Sequence, residues 1–251
     1  MDDLALMVDL HGDGERQSPG DDAVTRRAIA LAGLPGRKNL SIADIGCGTG
    51  ASTMVLARTL DAEIAAIDFV PEFLETLEDN AHRENLGQKI ATHPLAMDAL
   101  PFDDQSLDAI WSEGAIYNIG FENGVRYWRR FLKPDGILAV SELTWLTATR
   151  PDALTEYWER HYPEVDTASA KIAILEASGY SPLGYFPLPS YCWLANFYRP
   201  IEGRLGAFLE RHDNSDAAQA IVAEHREEIA FYKRYSDYFS YGFYIARRSD
   251  G

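Results

Sequence analysis

The chain has 251 residues, 46% of them hydrophobic, and a formal net charge of -16 at pH 7. These values predict one sizeable α/β domain and exclude a disordered chain. The acidic balance, without any Lys- or Arg-rich run, disfavours a nucleic-acid partner and favours a small cationic ligand. Two separate cysteines predict neither a disulfide framework nor a zinc site, and no apolar stretch reaches the roughly 18 residues of a membrane span. We therefore expect a cytoplasmic protein.

The predicted elements begin with a helix in "SPGDDAVTRRAIALAGLP", where Asp21 or Asp22 is the cap and Gly33 and Pro35 are stop signals. Strands and helices then alternate, which predicts a parallel sheet covered on both faces. The strands are expected at 40–45, 63–67, 89–92, 107–111 and 137–141, and the helices at 51–60, 71–84 and 121–132. Before the fifth of these strands, "KPDG" predicts a turn with a positive φ at Gly136.

Beyond residue 149 the pattern loosens, with helices predicted at 152–161 and 167–178 and an extended segment at 180–193. The chain ends in a strand-like "YFSYGFYIA". About fifty residues separate the two extended pieces, so we interpret them as an insertion that contains a helix at 215–235. The expected organisation is a single domain over 1–251, with an N-terminal arm and helix at 1–39, a core at 40–149, and an elaboration at 150–251 whose insertion spans about 187–237.

The stretch "SIADIGCGTGAST" predicts a sharp turn from a strand into a helix. A dinucleotide fingerprint, G-x-G-x-x-G/A, fits Gly46, Gly48 and Ala51. The pattern D-x-G-x-G-x-G, typical of a loop that binds S-adenosylmethionine, fits Asp44 to Gly50. The glycines alone leave both cofactors open.

Acidic residues follow nearly every predicted strand, at the sheet edge where a doubly wound fold binds its ligand. Asp68 suits the ribose of either cofactor. Asp98 can accept a hydrogen bond from an adenine amine, while the Ala99 N–H reaches a ring nitrogen. Asp44 suits an ammonium better than a pyrophosphate. The charges therefore favour S-adenosylmethionine, with an NAD-dependent oxidoreductase and a non-catalytic S-adenosylmethionine-binding protein as alternatives.

Four motifs carry a family resemblance: "ADIGCGTG", "AAIDF", "MDALPFDDQSLDAIWSEGAIYNIG" and "RFLKPDGILAVSE". Over about residues 18–142 the chain resembles class I S-adenosylmethionine-dependent methyltransferases, nearest to those of ubiquinone and menaquinone biosynthesis and to small bacterial homologues. The resemblance implies a doubly wound, seven-stranded, mostly parallel sheet with an antiparallel last strand. It also implies in-line methyl transfer to a small-molecule acceptor.

The resemblance also implies roles for individual residues. Arg16 is a candidate partner for the cofactor's carboxylate. The expected cofactor-binding residues are Gly20, Asp44, Gly46, Cys47, Gly48, Asp68, Phe69, Met97, Asp98, Ala99, Glu113 and Gly114. The residues themselves, apart from the resemblance, indicate Glu113, Tyr117 and Glu142 as candidate catalytic bases. The expected substrate-binding residues are Tyr117, Asn118, Trp145, Tyr191 and Trp193. We expect residues from about 187 to 235, together with the N-terminal arm, to cover the acceptor site.

The histidines carry no catalytic pattern. His225 lies in an apolar helical stripe and is interpreted as a packed side chain. His11, His93 and His161 have no spacing typical of metal ligands. We therefore expect no metal ion, and a homodimer is left open.

Overall fold

The computed structural model describes residues 3–249. The helices are α1 Asp3–His11, α2 Asp22–Leu31, α3 Ala51–Thr59, α4 Pro71–Arg83, α5 Phe121–Trp128, α6 Asp152–His161, α7 Ala168–Ala177, α8 Ser190–Trp193, α9 Arg199–Arg211 and α10 Asp216–Tyr235. The strands are β1 Leu40–Ile45, β2 Ala62–Asp68, β3 Ile90–Pro94, β4 Leu107–Glu113, β5 Leu132–Trp145, β6 Asp166–Thr167, β7 Tyr180–Pro187 and β8 Phe239–Arg248. None of the helices in this range is long and apolar enough to cross a bilayer.

The sheet has the strand order β3-β2-β1-β4-β5-β8-β7. Across the sheet, the strands β3, β2, β1, β4 and β5 are each parallel to their neighbours in this group. The strand β8 is antiparallel to both β5 and β7. Strand order reverses between β1 and β4, which is where a doubly wound sheet forms its ligand crevice. The predicted seven-stranded sheet with an antiparallel last strand is confirmed. The two-residue β6, which pairs with β5, is an addition to it.

Local sequence explains where the first helices begin and end. The Asp21 carboxylate accepts a hydrogen bond of 2.7 Å from the backbone N–H of Ala23, which caps α2. Pro71 opens α4, where its missing N–H costs nothing. The helix starts predicted from the sequence at these places are confirmed.

The fifth strand differs from its prediction, because β5 runs over 14 residues. The turn predicted at "KPDG" is an irregularity within β5, opposite a register shift between Leu107 and Ala109 of β4. Asp135, not Gly136, has the positive φ, of 60°. A Cβ at Gly136 would lie 2.8 Å from the carbonyl oxygen of Lys133, so this glycine is required for space and not for its φ.

The core lies on both faces of the sheet. On one face α2 and α3 pack with α10 and with aromatic residues between β7 and β8. On the other face α5 and α7 form a second cluster. A third cluster joins α1 to α9 and α10 through Leu6, Leu10 and their neighbours. The segment 188–238 between β7 and β8, which we call the insertion, therefore buries the first helix of the chain.

Candidate functional site

The glycine loop (residues 46–50) connects β1 to α3 at the switch point of the sheet. Gly46 has a φ of 72°, and a Cβ there would lie 2.3 Å from the Cβ of Ala115. A Cβ at Gly50 would lie 2.1 Å from Leu77 Cδ1. The Gly46 N–H donates to the Ile67 carbonyl at 2.8 Å, which ties the loop to the end of β2. Only glycine combines this conformation with this close approach.

The side chain of Gln17 lies against the glycine loop, a contact that sequence reasoning missed. Its Oε1 accepts hydrogen bonds from the Thr49 N–H at 2.9 Å and the Thr49 hydroxyl at 3.0 Å. Its Nε2 donates to the carbonyls of His11 and Gly14 at 3.1 and 3.0 Å. A Cβ at Gly48 would lie 2.4 Å from Gln17 Oε1. The linker between α1 and α2 (residues 12–21) is thus fastened to the loop.

A cavity of about 430 Å³, the glycine-loop cavity, lies beyond the ends of β1, β2 and β4. Most of the expected cofactor residues line it. These are Gly46, Cys47, Gly48, Asp68, Phe69, Met97, Asp98, Glu113 and Gly114. Gly20, Asp44 and Ala99 are not among its lining residues, and each has a different environment.

Asp68, at the end of β2, already holds the glycine loop. Its Oδ2 accepts a hydrogen bond of 2.8 Å from the Gly48 N–H, and its Oδ1 accepts one of 3.0 Å from the Val70 N–H. Burial raises the pKa of Asp68 above its usual value. Each carboxylate oxygen keeps a second lone pair, which can accept from a ligand hydroxyl.

Asp44 is completely buried beneath the glycine loop. Its Oδ2 accepts hydrogen bonds of 2.7 Å from the hydroxyls of Ser52 and Thr53, in the first turn of α3. Its Oδ1 is buried without a hydrogen-bond partner, and burial raises the pKa of the carboxyl to about 7. Asp44 therefore joins β1 to α3 and retains one free acceptor oxygen.

Glu113, at the end of β4, is held from several sides. Its Oε1 accepts hydrogen bonds from the Thr25 hydroxyl at 2.7 Å and from the Trp111 Nε1–H at 2.9 Å. Its Oε2 lies 3.6 Å from Arg16 Nη1. A Cβ at Gly20 would lie 2.7 Å from the same Arg16 nitrogen, so this glycine makes room for the guanidinium. With these partners, Glu113 holds Arg16 in place and is less available as a base.

The predicted adenine contacts differ from one another in the structure. Asp98 is exposed at the edge of the glycine-loop cavity. The Ala99 N–H donates to the Ala96 carbonyl at 3.1 Å, within a turn. A hydrogen bond from this N–H to adenine stays a prediction, and it requires the turn to open.

Cys47 is buried, and burial together with the Asp44 and Asp68 carboxylates raises the pKa of its thiol well above the usual value. The thiol is therefore protonated at neutral pH and is not an activated nucleophile.

A second cavity, of about 500 Å³, adjoins the first and is called here the aromatic cavity. Residues from α1, α4, α6, α10, β5 and β8 line it. Both cavities share Gln17, Ser18, Val70, Phe73, Gly114 and Tyr117. Of the expected catalytic and substrate residues, Glu142, Tyr117 and Trp193 line the aromatic cavity, and Asn118 lines the glycine-loop cavity.

Trp145 and Tyr191, two expected substrate residues, line neither cavity. Trp145 is buried in the core, with the Arg150 guanidinium 4.1 Å from its ring centroid. Tyr191 is 43% exposed. Trp193 stands two positions further along α8, so the helix turns the two side chains in different directions. Trp193 instead stacks on Tyr232 with ring centroids 4.5 Å apart.

Two histidines form a pair beside the aromatic cavity. His225 Nδ1 donates to the Ile221 carbonyl at 2.9 Å, so in a neutral ring its Nε2 is an acceptor. His11 Nε2 lies 3.0 Å from that nitrogen and is therefore the donor. Burial lowers the pKa of His11 to about 4. The interpretation of His225 as a packed side chain omitted this partner, which lies 214 residues away in the chain.

The comparison with protein families favours S-adenosylmethionine over NAD as the cofactor. Residues 43–140 match the model of the methyltransferase domain family. This segment is similar to methyltransferase domains. It contains the glycine loop, Asp68, Asp98 and Glu113, and it ends within β5. Among the described residues, no group of three or more His, Cys, Asp or Glu side chains could hold a metal ion.

Curated relatives align with this chain over about half of their own length or less. The 27-O-demethylrifamycin SV methyltransferase of Amycolatopsis mediterranei (strain S699) is 27% identical over 124 residues, which are 49% of this chain and 46% of that protein. The demethylmenaquinone methyltransferase of Tropheryma whipplei (strain Twist) is 36% identical over 105 residues, 41% of each chain.

Solved structures resemble nearly the whole chain. A methyltransferase from Geobacter sulfurreducens in complex with S-adenosyl-L-homocysteine has a TM-score of 0.81 at 14% identity, covering 96% of this chain and 97% of that one. The [4+2]-cyclase SpnF has a TM-score of 0.75 at 20% identity, covering 99% and 93%. The chain has the fold of class I S-adenosylmethionine-dependent methyltransferases. None of these relatives or structures supports the oxidoreductase alternative, and the cyclase illustrates that a fold alone does not decide a reaction.

Proposed function

We propose that this protein transfers the methyl group of S-adenosylmethionine to a small molecule held in the aromatic cavity. The observation that carries the proposal is the contact between the two cavities, which share Gln17, Ser18, Gly114 and Tyr117. A cofactor in the glycine-loop cavity and an acceptor in the aromatic cavity would meet at these residues. Such proximity is the main catalytic requirement of a reaction whose donor is already activated.

The residues of the glycine-loop cavity fit the cofactor. The backbone of the glycine loop gives close approach, and the Asp68 carboxylate has lone pairs for ribose hydroxyls. Asp98 suits the adenine edge. The guanidinium of Arg16 suits the carboxylate of an amino acid, and the free Oδ1 of Asp44, which lies beneath the loop and does not line the cavity, suits the ammonium through water. When bound, the cofactor supplies a methyl group on a sulfonium, and these residues would hold it in place.

We further propose that the insertion and α1 cover the acceptor. Trp193, Phe197 and His225 of the insertion line the aromatic cavity, as do Met7 and His11 of α1. These side chains would exclude water from the reacting atoms. The division into a cofactor-binding core and an acceptor-side elaboration within a single domain belongs to the same proposal.

Glu142 is the leading candidate for a base among Glu113, Tyr117 and Glu142. It lines the aromatic cavity, and its Oε2 is buried without a hydrogen-bond partner. Glu113 is already engaged with Thr25, Trp111 and Arg16. A base is needed only for an acceptor atom that loses a proton.

The test has two stages. Calorimetry of the purified protein should detect binding of S-adenosylhomocysteine and no binding of NAD. Mass spectrometry of a small-molecule extract, incubated with the protein and S-adenosylmethionine, should then detect products heavier by one methylene. Binding without any product would favour the non-catalytic alternative, and tight NAD binding without a response to S-adenosylhomocysteine would refute the proposal.

A further inference from the structure

The ionisable side chains that line the aromatic cavity are of three kinds. They comprise carboxylates, imidazoles and phenols, and no Lys or Arg is among the lining residues that the structure describes. The carboxylates are Glu142, Glu224 and Glu228, and the imidazoles are His11, His161 and His225. The lining residues thus supply carboxylates and no guanidinium or lysine ammonium, which disfavours an anionic acceptor.

Glu142 is a buried carboxylate with an unfilled position. It is 1% exposed and lies on β5. Its Oε1 accepts a hydrogen bond of 2.6 Å from the Leu143 N–H, whereas its Oε2 has no partner within hydrogen-bond distance among the described residues. The Lys171 ammonium and the Tyr162 hydroxyl lie close enough to lower the pKa of the carboxyl, and neither fills the position at Oε2. A buried carboxylate oxygen without a partner is costly for the fold. The free Oε2 of Glu142 therefore indicates a ligand with a hydrogen-bond donor, and a cationic donor would be the most favourable.

Two further carboxylates extend this charge along α10. Glu224 and Glu228 are separated by four positions, so both lie on the helix face that lines the cavity. Glu228 accepts a hydrogen bond of 2.8 Å from the Tyr198 hydroxyl, which holds it in place. Glu224 is exposed, at the solvent side of the cavity. A cation entering past Glu224 would therefore meet carboxylates along its path.

Aromatic rings supply the remaining walls. Tyr117 and Tyr162 meet edge to face with centroids 6.0 Å apart, and Tyr157 and Trp158 meet at 5.2 Å. All four line the cavity, together with Trp193. Aromatic faces attract cations and also shield them from water.

We propose that the methyl acceptor is an amine, bound in the aromatic cavity as an ammonium whose N–H donates to Glu142. This inference rests on the proposed methyl transfer and adds the class of acceptor to it. A carboxylate or phosphate acceptor would lie beside Glu142, Glu224 and Glu228, and the one Lys that acts on Glu142, Lys171, is not among the lining residues. An uncharged alcohol would donate only one proton and would use neither the negative potential nor the ring faces.

The proton balance assigns a second role to Glu142. An ammonium nitrogen has no lone pair, so one N–H proton first moves to the Glu142 carboxylate. The nitrogen lone pair then forms the N–C bond to the methyl group, while the electron pair of the S–C bond stays on sulfur. The products are a methylated ammonium, protonated Glu142 and S-adenosylhomocysteine, so atoms and total charge are conserved.

A matched set of probes tests the inference. These are 2-phenylethylamine, 2-phenylethanol and 3-phenylpropionate, which share a phenyl group and differ in charge. Binding to the protein saturated with S-adenosylhomocysteine is measured by calorimetry and by saturation-transfer NMR. We expect the amine to bind roughly tenfold or more tightly than the other two. Equal or tighter binding of the alcohol or the carboxylate, or no binding of any probe, would overturn the inference.

Variants sharpen the test. Glu142→Gln should weaken amine binding roughly tenfold and leave the affinity for S-adenosylhomocysteine unchanged. Glu227→Gln is the matched control, because this exposed residue of α10 lies outside the cavity. If Glu142→Gln does not fold, Glu228→Gln should show a smaller loss in the same direction. Unchanged amine affinity in a folded Glu142→Gln protein contradicts the inference, whereas failure of the wild type to bind S-adenosylhomocysteine contradicts the proposed function instead.

The dependence on pH gives a separate readout. Burial raises the pKa of Glu142 to about 7, and the nearby Lys171 ammonium opposes that shift. Below this pH the carboxyl is neutral, so amine affinity should fall as the pH is lowered through about 7. The other groups that act on Glu142 or feel its charge are Tyr162, Glu164, Tyr117, Tyr241 and Tyr244. The fall should disappear in Glu142→Gln, and its persistence there would count against Glu142 as the partner.

Discussion

The two cavities are built in opposite ways. The glycine-loop cavity is formed mainly by residues that follow neighbouring strands, together with residues 16–18 of the linker between α1 and α2. The aromatic cavity is formed by α1, α6 and α10, which are far apart in the chain, and its walls are large side chains. A site for a common cofactor can therefore be read from short motifs. The proposed acceptor site depends on tertiary packing, which is also where relatives with one fold are free to differ.

The largest effect should come from the packing of the acceptor side. Trp193 is 3% exposed, donates to the Ser240 hydroxyl at 3.0 Å and stacks on Tyr232. We predict that Trp193→Ala lowers the free energy of unfolding by about 3–5 kcal/mol, measured by urea denaturation. Tyr191→Ala, at an exposed position of the same helix, should change it by less than about 0.5 kcal/mol. Similar losses for both would refute the assignment of Trp193 to the core.

The next effect concerns the close approach in the glycine loop. Gly46 and Gly36 both have a positive φ. A Cβ added at Gly46 would contact Ala115, whereas a Cβ added at Gly36 would have no atom within 4 Å. Gly36→Ala should cost about 1–2 kcal/mol for backbone strain alone. Gly46→Ala should cost about 1–3 kcal/mol more because of overpacking. Equal losses in chemical denaturation would show that the loop relaxes around the added methyl group.

Cofactor affinity tests the glycine-loop cavity directly. We predict that Asp68→Ala weakens S-adenosylhomocysteine binding by about 1.5–3 kcal/mol, the range for a hydrogen bond to a charged group. Asp79→Ala is the control, because Asp79 is exposed on α4 and lies outside this cavity. Calorimetry gives both dissociation constants. An unchanged value for a folded Asp68→Ala protein would remove Asp68 from the cofactor site.

The smallest effect is local and depends on pH. The pKa of His11 is lowered to about 4 by burial, by His225 and by Arg204, so its folded pKa lies below its unfolded value of about 6.5. The stability that neutral His11 contributes is complete above pH 6.5 and is lost as the pH falls toward 4. Hydrogen exchange should therefore show faster exchange in α1 over this window.

His11→Gln should abolish the pH dependence of exchange in α1, and a dependence that survives in the variant would contradict the histidine pair as its source. A global measurement is less suitable. Asp44 and Glu142 have pKa values raised to about 7, so the folded state takes up protons there as the pH falls. Their contribution to stability therefore changes in the opposite direction.

Much of the cofactor half follows from the sequence, because its signals are local. β1 was predicted with its observed bounds, since a buried apolar run and the glycines delimit it. Asp68 and Asp98 were found by their positions after strands, and both line the expected cavity. Contacts between residues of different helices, strands and loops were not indicated by the sequence. The occupation of the Ala99 N–H by a turn and the role of Gln17 both depend on tertiary geometry.

The acceptor half was less predictable for the same reason. The segment between the two extended pieces was interpreted as an insertion because of its length, and Trp193 was chosen as an aromatic residue within it. Aromatic composition could not separate Trp193 from Tyr191. The burial of each depends on helix phase. The pairing of His11 with His225 had no local signal at all. Only the packing of α1 on α10 brings these rings together.

Under the proposed function, the linker between α1 and α2 has a consequence for the timing of turnover. Gln17 and Ser18 line both cavities; Gln17 binds the glycine loop, and the Asn196 side chain of the insertion donates to the Gly20 carbonyl at 3.0 Å. One short segment thus belongs to two compartments. A movement that releases it would expose both at once, so exchange of the nucleoside product and entry of the next acceptor would share a single gate. Their rates would then rise and fall together when the linker is loosened.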